Sequence, residues 1–196
     1  MMKPWILSGL LGLVYLVGAS VEAQAVSLSV DVDPAVAGIQ ATRTVTVGDP
    51  FTVDVVIGQV TNLHGFDFDL SFVSSVVTAT GVASGNFLPA SFTVDQDITA
   101  PDVTFAEAAF GSTGTSGTGV LATIIFDAVG VGMSDLILTR GELSIPFGTP
   151  IEPADLHKGT ITVVGGGQQP IPEPGTVVLL GTGLGGLLVG KRLFKK

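Results

Sequence analysis

The residues that could do chemistry in this chain are few and scattered. Three aspartate pairs stand two residues apart, Asp31/Asp33, Asp67/Asp69 and Asp95/Asp97. Calcium, which takes several oxygen ligands at once, is the ion such pairs would suit. None has the spacing of an EF-hand loop, and an i, i+2 pair falls on one face of a strand or in a loop. Solvated surface is therefore the first expectation. Glycoside hydrolysis needs two carboxylates facing one cleft, and Glu107, Glu142 and Glu152 are the glutamates of the central region. His64 and His157 lie far apart, and no Gly-x-Ser-x-Gly elbow exists to present a nucleophile. Gly111, Gly114, Gly117 and Gly119 form a glycine-rich run without the lysine and helix of a phosphate loop, and it reads as a loop. With no cysteine anywhere, disulfides, thiolate metal sites and cysteine nucleophiles drop out together. The expectation is a protein that is not an enzyme and carries no cofactor.

Aromatic platforms for sugar stacking are equally thin. Trp5 and Tyr15 are the only Trp and Tyr, and both lie near the N-terminus. Phe51, Phe66, Phe68, Phe72, Phe105 and Phe126 fall at core-facing periods, so packing is their expected role.

These residues must be held by β-structure. Val26, Leu28, Val30 and Val32 alternate with Ser27, Ser29, Asp31 and Asp33, and Pro34 closes the run. Phe51, Val53, Val55 and Ile57 follow the turn Val47-Gly48-Asp49-Pro50, and Phe66, Phe68, Leu70 and Phe72 repeat the pattern. Each alternation puts one face in a core and the other in water. Gly119 to Val129 is apolar in both registers, as in a central strand covered on both faces. Leu136-Ile137-Leu138 and Thr160 to Val164 supply closing strands. Eight or nine short strands in residues 26–165 predict an all-β jelly-roll sandwich.

The composition fits this only once the ends are set aside. The 196 residues carry 8 Lys+Arg against 17 Asp+Glu, a formal charge of −9, which excludes nucleic acid as a partner. Mean hydropathy is +0.62 and only 13% of residues are charged, against about a quarter in ordinary soluble domains. Two terminal segments cause this. Lys3 precedes an apolar run from Trp5 to Val17, and Ala23-x-Ala25 fits the small-residue rule for signal peptidase, predicting a signal peptide over residues 1–25. Residues 166–171 form a Gly/Gln linker. From Thr176 to Gly190 the chain is uncharged, and it continues into Lys191, Arg192, Lys195 and Lys196. That pattern predicts a short hydrophobic helix with a basic tail on the cytoplasmic side. Of the basic residues only Arg43, Arg140 and Lys158 remain in the central region, against fifteen acidic ones (the seventeen less Glu22 and Glu173).

Pro172-Glu173-Pro174, then the Gly-rich apolar run, then the basic cluster resembles the PEP-CTERM sorting signal over residues 172–196. The resemblance implies processing by an exosortase-type transpeptidase and an inner-membrane-anchored precursor. The mature form would lie at the cell envelope, outer surface or extracellular matrix of a Gram-negative bacterium. A permanent membrane anchor is the other reading of the same residues.

The central region carries a second resemblance. Val47-Gly48-Asp49-Pro50-Phe51-Thr52-Val53 leads to Leu63-His64-Gly65-Phe66-Asp67-Phe68-Asp69-Leu70, and later comes Gly119-Val120-Leu121-Ala122-Thr123-Ile124-Ile125-Phe126. These segments are similar to cohesin domains, which are jelly-roll sandwiches related to carbohydrate-binding modules. The resemblance implies a binding module for a dockerin-type or other matrix protein, or for a polysaccharide-associated assembly. A carbohydrate-binding module of the exopolysaccharide matrix is the alternative. After Leu70, cohesins carry a Tyr-Asp-Pro-like turn. Here Phe72-Val73-Ser74-Ser75 stands instead, which reads as the strand running on. Dockerin binding is implied by class, with no residue of a binding face assigned.

Overall fold

The computed structural model describes residues 25–153 and 155–166. The signal segment with Ala23, the sorting motif Pro172, Glu173 and Pro174, and the basic tail Lys191, Arg192, Lys195 and Lys196 lie outside them. Ala25 is exposed coil two residues before the first strand.

Alternating apolar residues give twelve strands: β1 (Ser27–Asp31), β2 (Thr42–Thr46), β3 (Pro50–Leu63), β4 (Gly65–Ser71), β5 (Val77–Ser84), β6 (Ser91–Thr99), β7 (Asp102–Ala109), β8 (Thr115–Ala128), β9 (Gly132–Ile145), β10 (Thr149–Ile151), β11 (Asp155–His157) and β12 (Gly159–Val164). They form two sheets. One has the order β11-β1-β3-β8-β5, and the other β2-β12-β9-β4-β7-β6, with β10 also paired to the last residues of β9. Most neighbours are antiparallel, while β1/β11 and β2/β12 are parallel. The all-β sandwich is as expected, but its strands are more numerous and less uniform: β3, β8 and β9 each run 14 residues, whereas β10 and β11 have three.

The inner faces meet in one core. Phe126 lies against Phe51 with ring centroids 5.6 Å apart and meets Phe72 edge-on at 5.4 Å. Phe66, Phe68 and Phe105 form a second group at 6.1–6.2 Å. All six phenylalanines predicted to pack are buried.

Three expectations change. First, β8 is central, between β3 and β5, yet Ile125 is 43% exposed and Val129 is exposed as well. In a two-layer sandwich even a central strand has only one packed face, so the doubly apolar pattern does not mean double coverage.

Second, the Gly/Ser/Thr segment read as a loop to Gly119 enters β8 at Thr115. Its partner β3 shifts register between Ile57 and Val60 and between Val60 and Leu63, with Gln59 and Asn62 at φ +55° and +59°. At these bulges hydroxyls and an amide replace ladder bonds. Thr118 Oγ1 accepts from Gln59 N at 3.1 Å, Ser116 Oγ from Asn62 N at 2.8 Å, and Asn62 Oδ1 from Gly114 N at 3.1 Å. A Cβ on Gly114 would sit 2.4 Å from the Asn62 carbonyl oxygen, so only glycine fits there. Small polar residues are therefore what this strand requires.

Third, β4 stops at Ser71 rather than running on. A turn follows in which Val76 and Val77 N–H donate to the Val73 carbonyl at 2.9 and 3.1 Å. The turn persists without acidic residues because backbone bonds close it and Val73 N–H donates to Ser134 Oγ at 2.9 Å.

The registers give the sandwich two distinct ends. At one, Gly48 N–H donates to Ala128 O, Val129 N–H to Val76 O, Phe72 N–H to Pro101 O, and Val47 N–H to Val164 O. The chain leaves β12 there. At the other, His64 N–H donates to Ser144 O, Ala109 N–H to His64 O, and Phe110 N–H to Ala90 O.

Phe126→Ala should cost about 3–5 kcal/mol of unfolding free energy, because it opens a cavity between the rings of Phe51 and Phe72. Ile125→Ser, one residue away on the wet face, should stay within about 0.5 kcal/mol of the parent. Denaturant midpoints for the two variants check the assignment of faces.

Candidate binding face

The outer face of the second sheet carries a groove of about 670 Å³. Its floor lies on β4 and β7, where the outward Gly65, Ala106 and Ala108 stand beside Asp67. Small residues leave the floor low. A Cβ on Gly65 would already be 3.0 Å from Ser144 Oγ and 3.3 Å from the Glu107 carbonyl oxygen. Val94 of β6 rises on one side, and Pro150, Ile151 and Pro153 rise on the other.

At the groove's side toward β9 sits Arg140. Its Nε donates to Asp69 Oδ2 at 2.8 Å, and its Nη2 donates to Asp67 Oδ1 at 2.8 Å and Asp69 Oδ1 at 3.3 Å. Nη1 lies 3.5 Å from Glu142 Oε1. Thr104 Oγ1 adds a hydrogen bond to Asp69 Oδ1 at 2.7 Å. The strand period puts Asp67 and Asp69 on one face, and the register of β4 against β9 sets Arg140 directly opposite Asp69. One planar guanidinium thus gathers two carboxylates that would otherwise repel.

The protonation states follow. The hydrogen bond from Arg140 holds the Asp69 carboxyl below its ordinary value, with Thr104 and the Arg140 charge helping. Burial pushes Asp67 upward, against the pull of Arg140. The hydrogen bond to Asp69 and the nearby carboxylates hold the guanidinium proton still more firmly.

Above the far end of the groove, Pro146-Phe147-Gly148 forms a tight turn between β9 and β10. Phe147 there has φ +70° and is 95% exposed. A bulky residue in the left-handed region is rare, and here it holds an aromatic ring out in solvent. Phe92 and Phe110 form an exposed pair, 4.9 Å between centroids, beside the β6 edge of the same face.

Residues 36–163 match the Cohesin domain family. The chain belongs to the cohesin family. Among solved structures, this cohesin resembles a non-cellulosomal cohesin from the hyperthermophilic archaeon Archaeoglobus fulgidus, at 19% identity and a TM-score of 0.58. That match spans 72% of this chain and 92% of that one. It resembles CaCohA2 from Clostridium acetobutylicum at 21% identity and a TM-score of 0.56, spanning 77% and 97%. It also resembles a type I cohesin–dockerin complex of OlpA from Clostridium thermocellum at 12% identity and 0.57, spanning 72% and 100%. At these identities the likeness is one of fold. No curated protein matches the chain. Cohesin domains are non-catalytic binding modules.

Within this cohesin the singled-out residues separate. Glu107 and Glu142 do not face one cleft. Glu107 is buried on the inner side, where Ser84 Oγ of the opposite sheet and Ser91 Oγ donate to its Oε2 at 3.0 and 3.4 Å, whereas Glu142 is on the outer face. Glu152 borders the groove. His64 sits in the β3–β4 turn with Nε2 2.9 Å from the Gly111 carbonyl oxygen, and His157 lies in β11.

The aspartate pairs are less solvated than expected. Asp31 is buried because its Oδ1 accepts from the Asp33 and Gln40 amides at 3.1 and 3.0 Å, closing the loop after β1, and Asp33 lies 3.4 Å from Arg43. Asp67 and Asp69 are tied to Arg140, and Asp95 and Asp97 stand on the exposed edge strand β6. Among the described residues no three His, Asp or Glu side chains gather as metal ligands.

Asp69→Asn checks the role of the fork. With its folded pKa depressed, Asp69 contributes stability that is full above its ordinary value of 3.8 and is lost as pH falls through the depressed value. Asp67, raised, works in the opposite sense as pH climbs above 3.8. At neutral pH the Asn variant should be less stable by about 1 kcal/mol. The gap between variant and parent should close below the ordinary carboxylate range, as thermal unfolding across pH would show.

Proposed function

We propose that this cohesin is an exported, non-catalytic surface or matrix protein that holds a dockerin-type partner protein in the groove over β4 and β7. The observation that carries the reading is the groove itself, a floor of Gly65, Ala106 and Ala108 with a charged fork at its side. From β6 to β9 is three strand spacings, about 14 Å. An α-helix with its side chains is about 10–12 Å across, so one helix of a partner can lie along the trough. Arg140 and its carboxylates then meet polar side chains at the rim, where they govern specificity and on-rate more than affinity. A cohesin in complex with a dockerin among the similar structures supports the partner class.

Export and sorting rest on the terminal segments. Ala25 is exposed coil, two residues before β1, so signal peptidase cleavage after it would leave every described strand intact. Under this reading Pro172-Glu173-Pro174, the apolar run and the basic tail make the precursor an exosortase substrate held at the inner membrane. The mature protein then resides at the envelope or in the extracellular matrix.

The second reading, a carbohydrate-binding module, is favoured by one feature that the sequence did not disclose. Phe92 and Phe110 form an exposed aromatic pair, a surface on which sugar rings can stack.

Titration calorimetry of the purified protein with dockerin-type proteins tests the first reading. Ala108→Arg, which fills the trough, should weaken binding at least about 100-fold, equivalent to about 2.7 kcal/mol. Phe92→Ala should leave it within a few-fold. Binding to a polysaccharide that Phe92→Ala abolishes and Ala108→Arg spares would replace the first reading by the second. Intact-mass measurement of the native protein should show loss of residues 1–25 and of the C-terminal segment.

A further inference from the structure

The end of the sandwich where the chain leaves β12 is unusually apolar. Val47, Val73, Val131, Met133, Ile137 and Val164 are all exposed there, Val131 at 69% and Met133 at 64%. They lie on neighbouring segments of that end. Val47 N–H donates to the Val164 carbonyl, a Cβ on Gly165 would lie 3.8 Å from Val131 Cγ2, and Val73, Met133 and Ile137 share a depression of about 390 Å³. Single exposed apolar residues need no explanation, but a cluster of this kind marks a contact surface.

The sequence says what lies next to it. From Gly166 the chain has ten residues to reach Thr176, where the uncharged stretch to Gly190 begins. Ten residues extend at most about 35 Å. If residues 176–190 enter a bilayer, the linker keeps this end of the sandwich close to the lipid surface.

We propose that the apolar end is a membrane-resting surface whose partner is the bilayer that receives residues 176–190. The inference rests on the proposed reading of the precursor, held at the inner membrane by its C-terminal segment before processing. The charged groups around this end are mainly acidic: Asp49, Asp102 and Asp135, the last paired with Lys158 Nζ at 2.6 Å. Attraction therefore comes from apolar contact raised by the tether, and a zwitterionic surface suits it better than an anionic one. Met133 and Ile137 share the outer face of the second sheet with the binding groove, but at its opposite end. The trough lies toward Ser144 and Gly148 at the opposite end, and Phe147 projects there.

The test uses the full chain carrying Trp5→Phe and Val131→Trp, reconstituted in phosphatidylcholine vesicles with or without brominated acyl chains. The expected result is a blue-shifted emission that brominated lipid quenches, while Trp5→Phe with Phe147→Trp at the far end is neither shifted nor quenched. Emission from position 131 that stays unshifted, or equal quenching at both positions, overturns the proposal. A blue shift without quenching overturns it too, because protein then covers the surface, either the chain's own apolar segment or a second copy. Failure of the chain to float with the vesicles removes the anchor reading and this inference with it. Flotation without quenching removes this inference alone.

Discussion

The pairing of β3 with β8 is the constraint on which the rest of the fold depends. These two 14-residue strands run the length of the first sheet and set Phe51 beside Phe126 and Val53 beside Ile124 on the inner face. Phe126 touches Phe72, just beyond β4, so the same residues that join the two strands also lock one sheet onto the other. Because both strands are long, they must bend, and the bulges near Gln59 and Asn62 supply the bend. Thr118, Ser116 and Asn62 satisfy the amides freed there in place of ladder partners.

The second sheet is freed by that packing to use its outer face. Its inner residues Phe66, Phe68 and Phe105 are committed to the core, while the alternate positions Gly65, Ala106 and Ala108 hold almost nothing above the backbone. Arg140 performs the corresponding electrostatic task. It is one of three basic residues in a strongly acidic domain, and its single positive charge is shared between Asp67 and Asp69 where they face the same side of β4. Binding, in this account, is an outcome of side-chain size and one guanidinium, with no bond made or broken.

The strands whose two faces differ were legible in the sequence. Phe66-Asp67-Phe68-Asp69-Leu70 announces its core and water faces residue by residue, and all six core phenylalanines follow from the same period. What was not legible depends on distance along the chain. Arg140 meets Asp67 and Asp69 from some seventy residues away, and no local pattern encodes that. Asp31 is buried because backbone amides of its own loop reach it, a fate its alternation with Val30 and Val32 hides. Thr115 to Gly119 looks like loop because its strand is built on hydroxyls rather than apolar side chains. Ile125 misleads in the opposite direction, since an apolar residue on the outer face of a sandwich has nothing to cover it. The groove was invisible for a related reason: it consists of small residues, and their signal is the absence of side chains.

Amide chemical-shift mapping of the isotopically labelled protein against a dockerin-type protein tests the central claim most directly. The account predicts shifts concentrated at Gly65, Ala106, Ala108 and Arg140, with the outer face of the first sheet around Thr123 and Ile125 unchanged. Shifts confined to that first sheet, or none at a partner concentration where binding is independently seen, would contradict it.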